Sequence, residues 1–167
     1  LAHTGPGKHK RRMLPGHSKT HRRQLLSVRP VKVRSKCIDH VADEIADRVN
    51  ADDSGVAALL GARHVMTGNF YRDRLTEHGL QLIEPEEEVV AEIDEIIDTE
   101  LMLGKATKDS MRDMKTIITN LERRGAEAII LGSTELEMIV DVDANIMPIY
   151  DSTAIHCEAG AEWILGG

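Results

Sequence analysis

The sequence is poor in cysteine and in aromatic residues. Its 167 residues include two cysteines, one tryptophan, two tyrosines and one phenylalanine. Two cysteines cannot build a framework of disulfides, and so few thiols are typical of a protein kept in a reducing compartment. The chain also lacks any apolar run that approaches the length of about 20 residues that a membrane-spanning helix needs. We therefore expect a cytoplasmic protein that does not enter a membrane.

Acidic residues are absent from the first 36 positions. Residues 1–36 contain eleven lysines and arginines and four of the eight histidines, whereas residues 37–167 contain all 28 acidic residues and only ten lysines and arginines. So large an excess of carboxylates indicates a solvated acidic surface and argues against nucleic-acid binding by residues 37–167. We divide the chain into a basic segment, residues 1–36, and a domain, residues 37–167.

The basic segment has no hydrophobic period and few apolar residues. It cannot bury enough surface to offset the loss of chain entropy, so we expect it to be disordered. Three interpretations are open: a non-native leader, a tail without function, or an arm that binds the phosphate backbone of a nucleic acid. The segment has no aromatic side chain that could stack on a base. This absence argues against nucleic acid as a partner.

Short apolar runs alternate with longer amphipathic stretches in the domain. The runs that we predict as strands are residues 55–62, 80–85, 126–132 and 145–150. The stretches that we predict as helices are residues 38–49, 68–79, 86–105, 108–125, a short helix from Thr134, and 152–165. This alternation predicts an α/β domain whose parallel sheet is flanked by helices.

Polar residues follow three of these strands, in residues 61–67, 132–135 and 150–153. Ligands of parallel sheets collect at the carboxyl ends of the strands. The same residues also fit helix capping: Ser133 is a candidate N-cap, and Thr134 with Glu137 fits a capping box. Spacing alone therefore favours a capping role for Ser133 and leaves a chemical role open.

At further candidate positions the choice between a structural and a functional role is also open. Thr67 lies at a strand-to-helix turn, and Asp151 with Thr153 lies at a helix start, where capping is the usual role. Lys105, one of three lysines in an acidic domain, is either a charge at a helix C-terminus or an anion-binding group. The histidines, His156 among them, are too scattered to show a metal-ligand spacing, so we expect no bound metal.

The order of three segments carries more information than any one of them. These segments are "GVAALLGARHVMTGNFYRDRLTEHGLQLIEP", "RRGAEAIILGSTELEMIV" and "PIYDSTAIHCEA". Together they resemble the C-terminal half of the aspartate/glutamate racemase family, most closely its aspartate racemase and broad-specificity amino-acid racemase branch, over about residues 38–165. The resemblance implies one lobe of a two-lobed α/β fold.

In that family two similar lobes face each other across a cleft, and each contributes a cysteine. One thiolate removes the α-proton of the amino acid, and the opposite thiol delivers a proton to the other face, without pyridoxal phosphate or metal. The resemblance therefore implies an isomerase that acts on a small amino acid of the aspartate or glutamate type and needs no cofactor.

The resemblance also assigns roles to individual positions. Ser133 stands where the family has its catalytic cysteine. The positions that correspond to candidate substrate-binding residues are Thr134, Glu135, Lys105, Thr67 and His156. Among them, Thr134 corresponds to a contact of the substrate α-carboxylate, and Lys105 lies near the lysine that the aspartate-type branch places at the distal carboxylate.

Two departures from the family affect the expected activity. A serine hydroxyl is far too weakly acidic to provide the base that a cysteine thiolate provides near neutral pH. The Gly-rich opening and the C-N-T-x-H motif of the family's first lobe have no counterpart before residue 37. We therefore expect a truncated or frameshifted form, a pseudoenzyme with little or no racemase activity.

Two other functions stay open at this point. One is a non-catalytic binding protein that holds a dicarboxylate or a partner and docks on nucleic acid through its basic arm. The other is an active relative whose chemistry needs one cysteine, supplied by a lobe that this sequence does not contain. The sequence is also compatible with a homodimer.

Overall fold

A computed structural model describes residues 40–142 and 145–166, so the predictions for residues 1–36 lie outside the described residues. Its centre is a four-stranded parallel sheet in the order β2-β1-β3-β4. The strands are β1 Val56–Leu60, β2 Gln81–Ile83, β3 Ala128–Leu131 and β4 Ile149–Asp151. The predicted α/β fold with a parallel sheet flanked by helices is confirmed.

Six α-helices and two short 3-10 helices occur in the described part of the chain. The α-helices are α1 Val41–Ala51, α2 Arg63–Thr67, α3 Asn69–Glu77, α4 Glu87–Thr99, α5 Lys108–Arg123 and α6 Ser152–Leu165. The first 3-10 helix is Leu101–Leu103 and the second is Thr134–Met138. The sequence pattern does not predict α2, because five residues are too few to show a helical period. None of the described helices combines the length and the apolar composition needed to cross a membrane.

The helix predicted over residues 86–105 is wrong in its last part. Helix α4 ends at Thr99, and the first 3-10 helix closes at Gly104, whose φ of 69° lies in the left-handed region that favours glycine. Lys105 follows this turn and is exposed. Lys105 is therefore not a charge at the C-terminus of an α-helix.

Hydrogen bonds fix the segment between α4 and α5. Thr107 Oγ1 accepts from the Ser110 N–H at 3.1 Å, and Ser110 Oγ accepts from the Thr107 N–H at 3.2 Å, which forms a capping box for α5. The buried Ser110 hydroxyl also bonds Glu100 Oε2 at 2.7 Å, and the Lys105 N–H donates to the Glu100 carbonyl at 3.0 Å. These bonds hold the backbone of the segment that carries Lys105.

Both faces of the sheet are buried, and alternate strand residues enter two separate cores. One core lies against α4 and α5 and contains Leu60 and Ile129, and the other lies against α1, α3 and α6 and contains Leu59 and Ile130. Burial on both faces explains why the strands appear in the sequence as continuous apolar runs. The helices cover the two faces, so the strand ends are left as the place where polar side chains meet.

Candidate functional site

Three strand ends meet at one edge of the sheet. The register pairs Leu60 with Leu131 and Leu131 with Asp151, so the carboxyl ends of β1, β3 and β4 lie side by side. Because the strands are parallel, the segments that follow them, residues 61–63, 132–135 and 152–153, begin at the same edge. This is the edge where an α/β sheet binds its ligands.

Ser133 lies at the centre of this edge. It is half-buried, and its Oγ accepts a hydrogen bond from the backbone N–H of Ala62 at 2.9 Å. Ser133 is the N-cap residue of the second 3-10 helix, but its side chain makes no capping hydrogen bond there. Ser133 thus occupies the predicted N-cap position, but the predicted capping by its side chain is wrong. The hydroxyl instead joins the end of β3 to the turn that follows β1.

Two glycines allow these turns to approach each other. A Cβ on Gly61 would lie 2.7 Å from Ser133 Oγ, and a Cβ on Gly132 would lie 2.6 Å from Val65 Cγ1. Both distances are too short for atoms that are not bonded to each other, so either side chain would force its neighbour to move. Glycine allows the close approach at both positions because it has no side chain.

Helix α4 holds the turn after β1 from its other side. The Arg63 N–H donates to Asp94 Oδ1 at 2.6 Å. The Arg63 guanidinium lies 3.6 Å from Asp94 Oδ2 and 2.5 Å from Glu87 Oε1. Two consecutive backbone N–H groups thus have different partners, Ser133 for Ala62 and Asp94 for Arg63. Sequence reasoning missed Ala62 and Asp94, because an alanine and one more acidic residue of an acidic helix carry no distinguishing signal.

Three of the predicted residues lie on segments that pack together near Ser133. Thr134, which is exposed, and Glu135, which is half-buried, belong to the second 3-10 helix. Lys105 lies two residues after the first 3-10 helix, which packs against the second. The fold therefore brings an exposed ammonium group and the polar end of β3 to neighbouring segments, although they are far apart in the sequence.

Thr67 lies on α2, the short helix that follows the turn after β1. It is the last residue of α2, and its hydroxyl donates to the Arg63 carbonyl at 2.8 Å instead of capping a helix, so the predicted capping role is wrong. Thr67 lines a shallow groove of about 430 Å³ together with Arg72 and Glu84. Ser133 does not line this groove.

His156 lies on the second turn of α6, where it is exposed, and it is close enough to His40 to influence it electrostatically. The Nδ1 of His40 accepts from the Ala42 N–H at 3.1 Å, and its ring centroid lies 4.5 Å from that of Phe70. Desolvation lowers the pKa of His40, and the positive charge of Arg74 lowers it further. The negative charge of Asp43 opposes this shift, and the smaller electrostatic effect of His156 adds to it. An accepting Nδ1 fixes the neutral ring with its proton on Nε2. Sequence reasoning treated the histidines as scattered and missed this pair.

Two carboxyl groups connect the ends of β3 and β4. Asp151 Oδ1 accepts from the Thr153 N–H at 2.8 Å and caps α6, as the spacing predicts. A hydrogen bond to Asp151, burial and the negative charge of Asp151 together raise the pKa of Glu137. Glu137 therefore interacts with the start of α6. The capping box predicted for Thr134 and Glu137 is wrong, since the cap position is occupied by Ser133.

A groove of about 650 Å³ opens between the second 3-10 helix and α5. Its lining includes Met111, Lys115, Glu137, Met138 and Val142. Neither Ser133 nor Thr134 lines it. The groove is thus a neighbour of the strand end and not a pocket that contains it.

The strand edge has groups that can bind and orient a polar ligand. Ser133 offers a half-buried hydroxyl, and Thr134 and Lys105 add an exposed hydroxyl and an exposed ammonium group on neighbouring segments. A serine hydroxyl does not act as a base near neutral pH unless another group takes its proton. Within the described ranges, no three His, Cys, Asp or Glu side chains are grouped as a metal site would require.

Comparisons with known proteins place these observations in a family. The family model described as Asp/Glu/Hydantoin racemase matches residues 34–160. A crystal structure of a candidate Asp/Glu racemase from Yersinia pestis is similar with a TM-score of 0.72 and 35% sequence identity, over 75% of this chain and 55% of that chain. An aspartate racemase homologue from Pyrococcus horikoshii OT3 is similar with a TM-score of 0.70 and 29% identity, over 76% of this chain and 56% of that chain.

A more distant likeness supports the fold alone. The aspartate racemase of Picrophilus torridus is similar with a TM-score of 0.52 and 18% identity, over 73% of this chain and 52% of that chain. In all three cases this chain spans a little over half the length of the protein that it matches.

Proposed function

The chain belongs to the Asp/Glu/hydantoin racemase family, and from this premise we propose that the carboxyl edge of its sheet binds a small amino acid, with Ser133 at the catalytic position. The substrate class is that of the family, an amino acid of the aspartate or glutamate type. Ser133 stands where the resemblance to aspartate/glutamate racemases puts a catalytic cysteine.

The observation that carries this proposal is the environment of the Ser133 hydroxyl. It is half-buried at the end of β3, a strand that lies between β1 and β4, and it is held by the Ala62 N–H at 2.9 Å. A side chain that only caps a helix would bond the backbone N–H groups of that helix. The hydroxyl of Ser133 is instead fixed where three strand ends converge, which is the position that a reacting group would need.

The neighbouring residues supply groups suited to an amino acid. We propose that Thr134 and Glu135 contact the α-substituents, that Lys105 neutralises the distal carboxylate, and that His156 lines the same cleft. Lys105 is suited to this role because its ammonium group is exposed and its backbone is fixed to Glu100. Thr67 stays a weaker proposal, since it lines a groove that Ser133 does not line.

We propose that the chain has little or no racemase activity. Racemisation by this family requires a base that removes the α-proton and an acid that returns one, with pKa values near the working pH. A serine hydroxyl meets neither requirement. Binding of the substrate does not need the thiol, so affinity for the amino acid is expected to persist where catalysis does not.

Solvent deuterium exchange tests the catalytic part of the proposal. The protein is incubated in D2O with L- or D-aspartate, with L- or D-glutamate, and with a 5-substituted hydantoin, and proton NMR follows loss of the α-proton signal. We expect no exchange above that of buffer. Exchange that disappears in S133A would overturn the proposal, because it would make the hydroxyl itself catalytic.

Ligand titration followed by backbone NMR tests the binding part. Aspartate or glutamate should shift the amide signals of residues 61–63 and 132–137, and K105A should weaken the affinity several-fold. K108A is the matched control, since Lys108 is an exposed lysine three residues away at the start of α5. Equal losses in the two variants, or shifts confined to the groove beside α5, would contradict a site at the strand edge.

The finer expectations belong to the same proposal. We propose that the protein works in the cytoplasm without pyridoxal phosphate or a metal, and that it forms a homodimer. The dimer is tested by light scattering of the purified protein, where a mass near that of the 18.5 kDa monomer would contradict it. A nucleic-acid-binding role for residues 1–36 stays a prediction from their charge, since they lie outside the described residues.

A further inference from the structure

The geometry points to the turn Gly61–Arg63 as a preformed donor of one backbone hydrogen bond to the γ atom of residue 133, with Asp94 as the residue that positions the turn. This inference rests on the proposed function, because it assigns a role in the proposed site to Ala62 and Asp94, two residues to which the family resemblance gives no role. Its test nevertheless uses no substrate, so it can fail or succeed independently of racemase activity.

The donor lies just beyond the last backbone hydrogen bond between β1 and β3. The Gly132 N–H donates to the Leu60 carbonyl at 2.8 Å, and the strands separate after this bond. The next bond across the two segments runs from the Ala62 N–H to the Ser133 side chain at 2.9 Å. The γ oxygen of residue 133 therefore takes the place of a backbone acceptor, and its position is set by the ladder beside it.

The approach of the donor depends on the absence of a side chain at Gly61. A Cβ at this position would lie 2.7 Å from Ser133 Oγ and 3.0 Å from Val65 Cγ1. The γ atom therefore lies against two consecutive residues of the turn: Gly61, where a Cβ would collide with it, and Ala62, whose N–H donates to it.

Asp94 fixes the direction in which the donor points. Its Oδ1 accepts from the Arg63 N–H at 2.6 Å, and its Oδ2 lies 3.6 Å from Arg63 Nε. Adjacent peptide planes share the Cα of Ala62, so anchoring the Arg63 amide limits rotation of the Ala62 amide. Asp94 is half-buried in α4, and its contact with the turn crosses 31 residues of sequence. The carboxylate acts on residue 133 through the turn and does not bond it directly.

The chemical consequence concerns an ionised γ atom. A hydrogen bond donated to the charged form of an acid lowers the pKa of that acid. A cysteine at position 133 would therefore be a better thiolate than an isolated cysteine, whose pKa is about 8.5. The serine now in this position gains only an ordinary hydrogen bond, since its hydroxyl does not ionise near neutral pH.

The test introduces the thiol and measures its ionisation. S133C is made together with C37S and C157S, so that residue 133 carries the sole thiol, and the rate of alkylation by iodoacetamide is measured from pH 5 to pH 10. We expect a thiol pKa at least about one unit below the ordinary value of about 8.5. A value at or above 8.5 would overturn the inference.

Two Asp94 variants, each combined with S133C, separate positioning from simple charge effects. Removing a nearby negative charge would by itself lower the pKa of a thiol. In D94N the amide oxygen still accepts from the Arg63 N–H, so we expect the pKa of the introduced thiol to stay the same or fall. In D94A the acceptor is lost and the turn is released, so we expect this pKa to rise by about half a unit or more. A pKa that falls equally in both variants would show that Asp94 acts only through its charge.

A control variant tests the effect of a neighbouring charge, and a second measurement applies if S133C does not fold. E87Q removes the charge of the Glu87 carboxylate, which lies 2.5 Å from the Arg63 guanidinium, and leaves the turn amides untouched, so it should leave the pKa of the introduced thiol unchanged. If S133C does not fold, amide hydrogen exchange of the serine protein replaces the thiol titration. The Ala62 amide should then exchange faster in D94A than in D94N, and equal protection in both would contradict the positioning role.

Discussion

The ends of β3 and β4 lie next to each other, and at each of them a short polar residue precedes a helix. Asp151 turns back to its own helix and accepts from the Thr153 N–H at 2.8 Å. Ser133 turns away from its own helix and accepts from the Ala62 N–H at 2.9 Å. The first side chain satisfies a donor two residues away, whereas the second satisfies a donor 71 residues away.

The difference shows that only the end of β4 uses its polar side chain to cap its own helix. Helix α6 has 14 residues and gains from a capping carboxylate at its positive end. The second 3-10 helix has five residues, and the half-buried N–H of Ala62 lies beyond the sheet ladder, where an unsatisfied donor would be costly. The end of β4 therefore stabilises the fold, and the end of β3 joins two turns at the candidate site.

The largest effect is expected from a substitution that forces apart the turns that follow β1 and β3. In G132A the new Cβ would lie 2.6 Å from Val65 Cγ1 and 3.0 Å from Leu59 Cδ1. We expect the free energy of unfolding to fall by about 1–3 kcal/mol, measured by urea denaturation. G160A is the matched control: Gly160 lies in α6 with open space around it, so alanine should raise stability by up to about 1 kcal/mol. Equal effects would mean that the close approach is relaxed in solution.

Removing the cap tests the end of β4. D151A should lower the free energy of unfolding by about 1 kcal/mol, because the Thr153 N–H loses its acceptor. D151N keeps an acceptor and removes the charge beside Glu137, so its stability should equal or exceed that of the parent protein. If D151N loses as much as D151A, the carboxylate charge matters more than the cap.

Truncating Ser133 tests the end of β3. S133A leaves the Ala62 N–H without its acceptor and should cost about 0.5–1.5 kcal/mol of unfolding free energy. The amide proton of Ala62 should also exchange faster, whereas the amides of the second 3-10 helix should not. T134A, at an exposed neighbouring position, is expected to change stability by less than about 0.5 kcal/mol. Faster exchange confined to residues 134–138 would restore the capping role.

The smallest expected effect concerns the contact between Glu137, which follows β3, and Asp151, at the end of β4, and it depends on pH. The pKa of Glu137 is raised in the folded protein, first by its hydrogen bond to Asp151. The folded state therefore binds the carboxyl proton of Glu137 more tightly than the unfolded state does. The stability that this proton binding provides is lost as the pH rises through the raised pKa. E137Q should be more stable than the parent at pH 7, and this difference should shrink towards pH 4. A difference independent of pH would contradict the interaction with Asp151.

Much of the fold could be predicted from the sequence, because the apolar runs of β1, β2, β3 and β4 are separated by amphipathic helices. The errors occur where local pattern is weak. Helix α2 is too short to show a period, and α4 stops at Thr99 because the chain tightens into a turn closed by Gly104. The predicted cap at Asp151 is correct because donor and acceptor are two residues apart. Ser133 occupies the predicted N-cap position, but its predicted side-chain capping bond is wrong because a distant donor bonds that side chain instead.

The features of the candidate site can likewise be divided into those that the sequence predicts and those that only the structure shows. The sequence by itself determined the strand edge, the family and the position of Ser133, since these depend on the order of apolar runs and motifs. Only the tertiary structure decided that Ala62 donates to Ser133, that Asp94 holds the turn, and that His40 lies near His156. The physical reason is that backbone donors and ordinary carboxylates carry no signal in the sequence. Their roles arise when the sheet register and the packing of α4 bring residues 31 and 71 positions apart into contact.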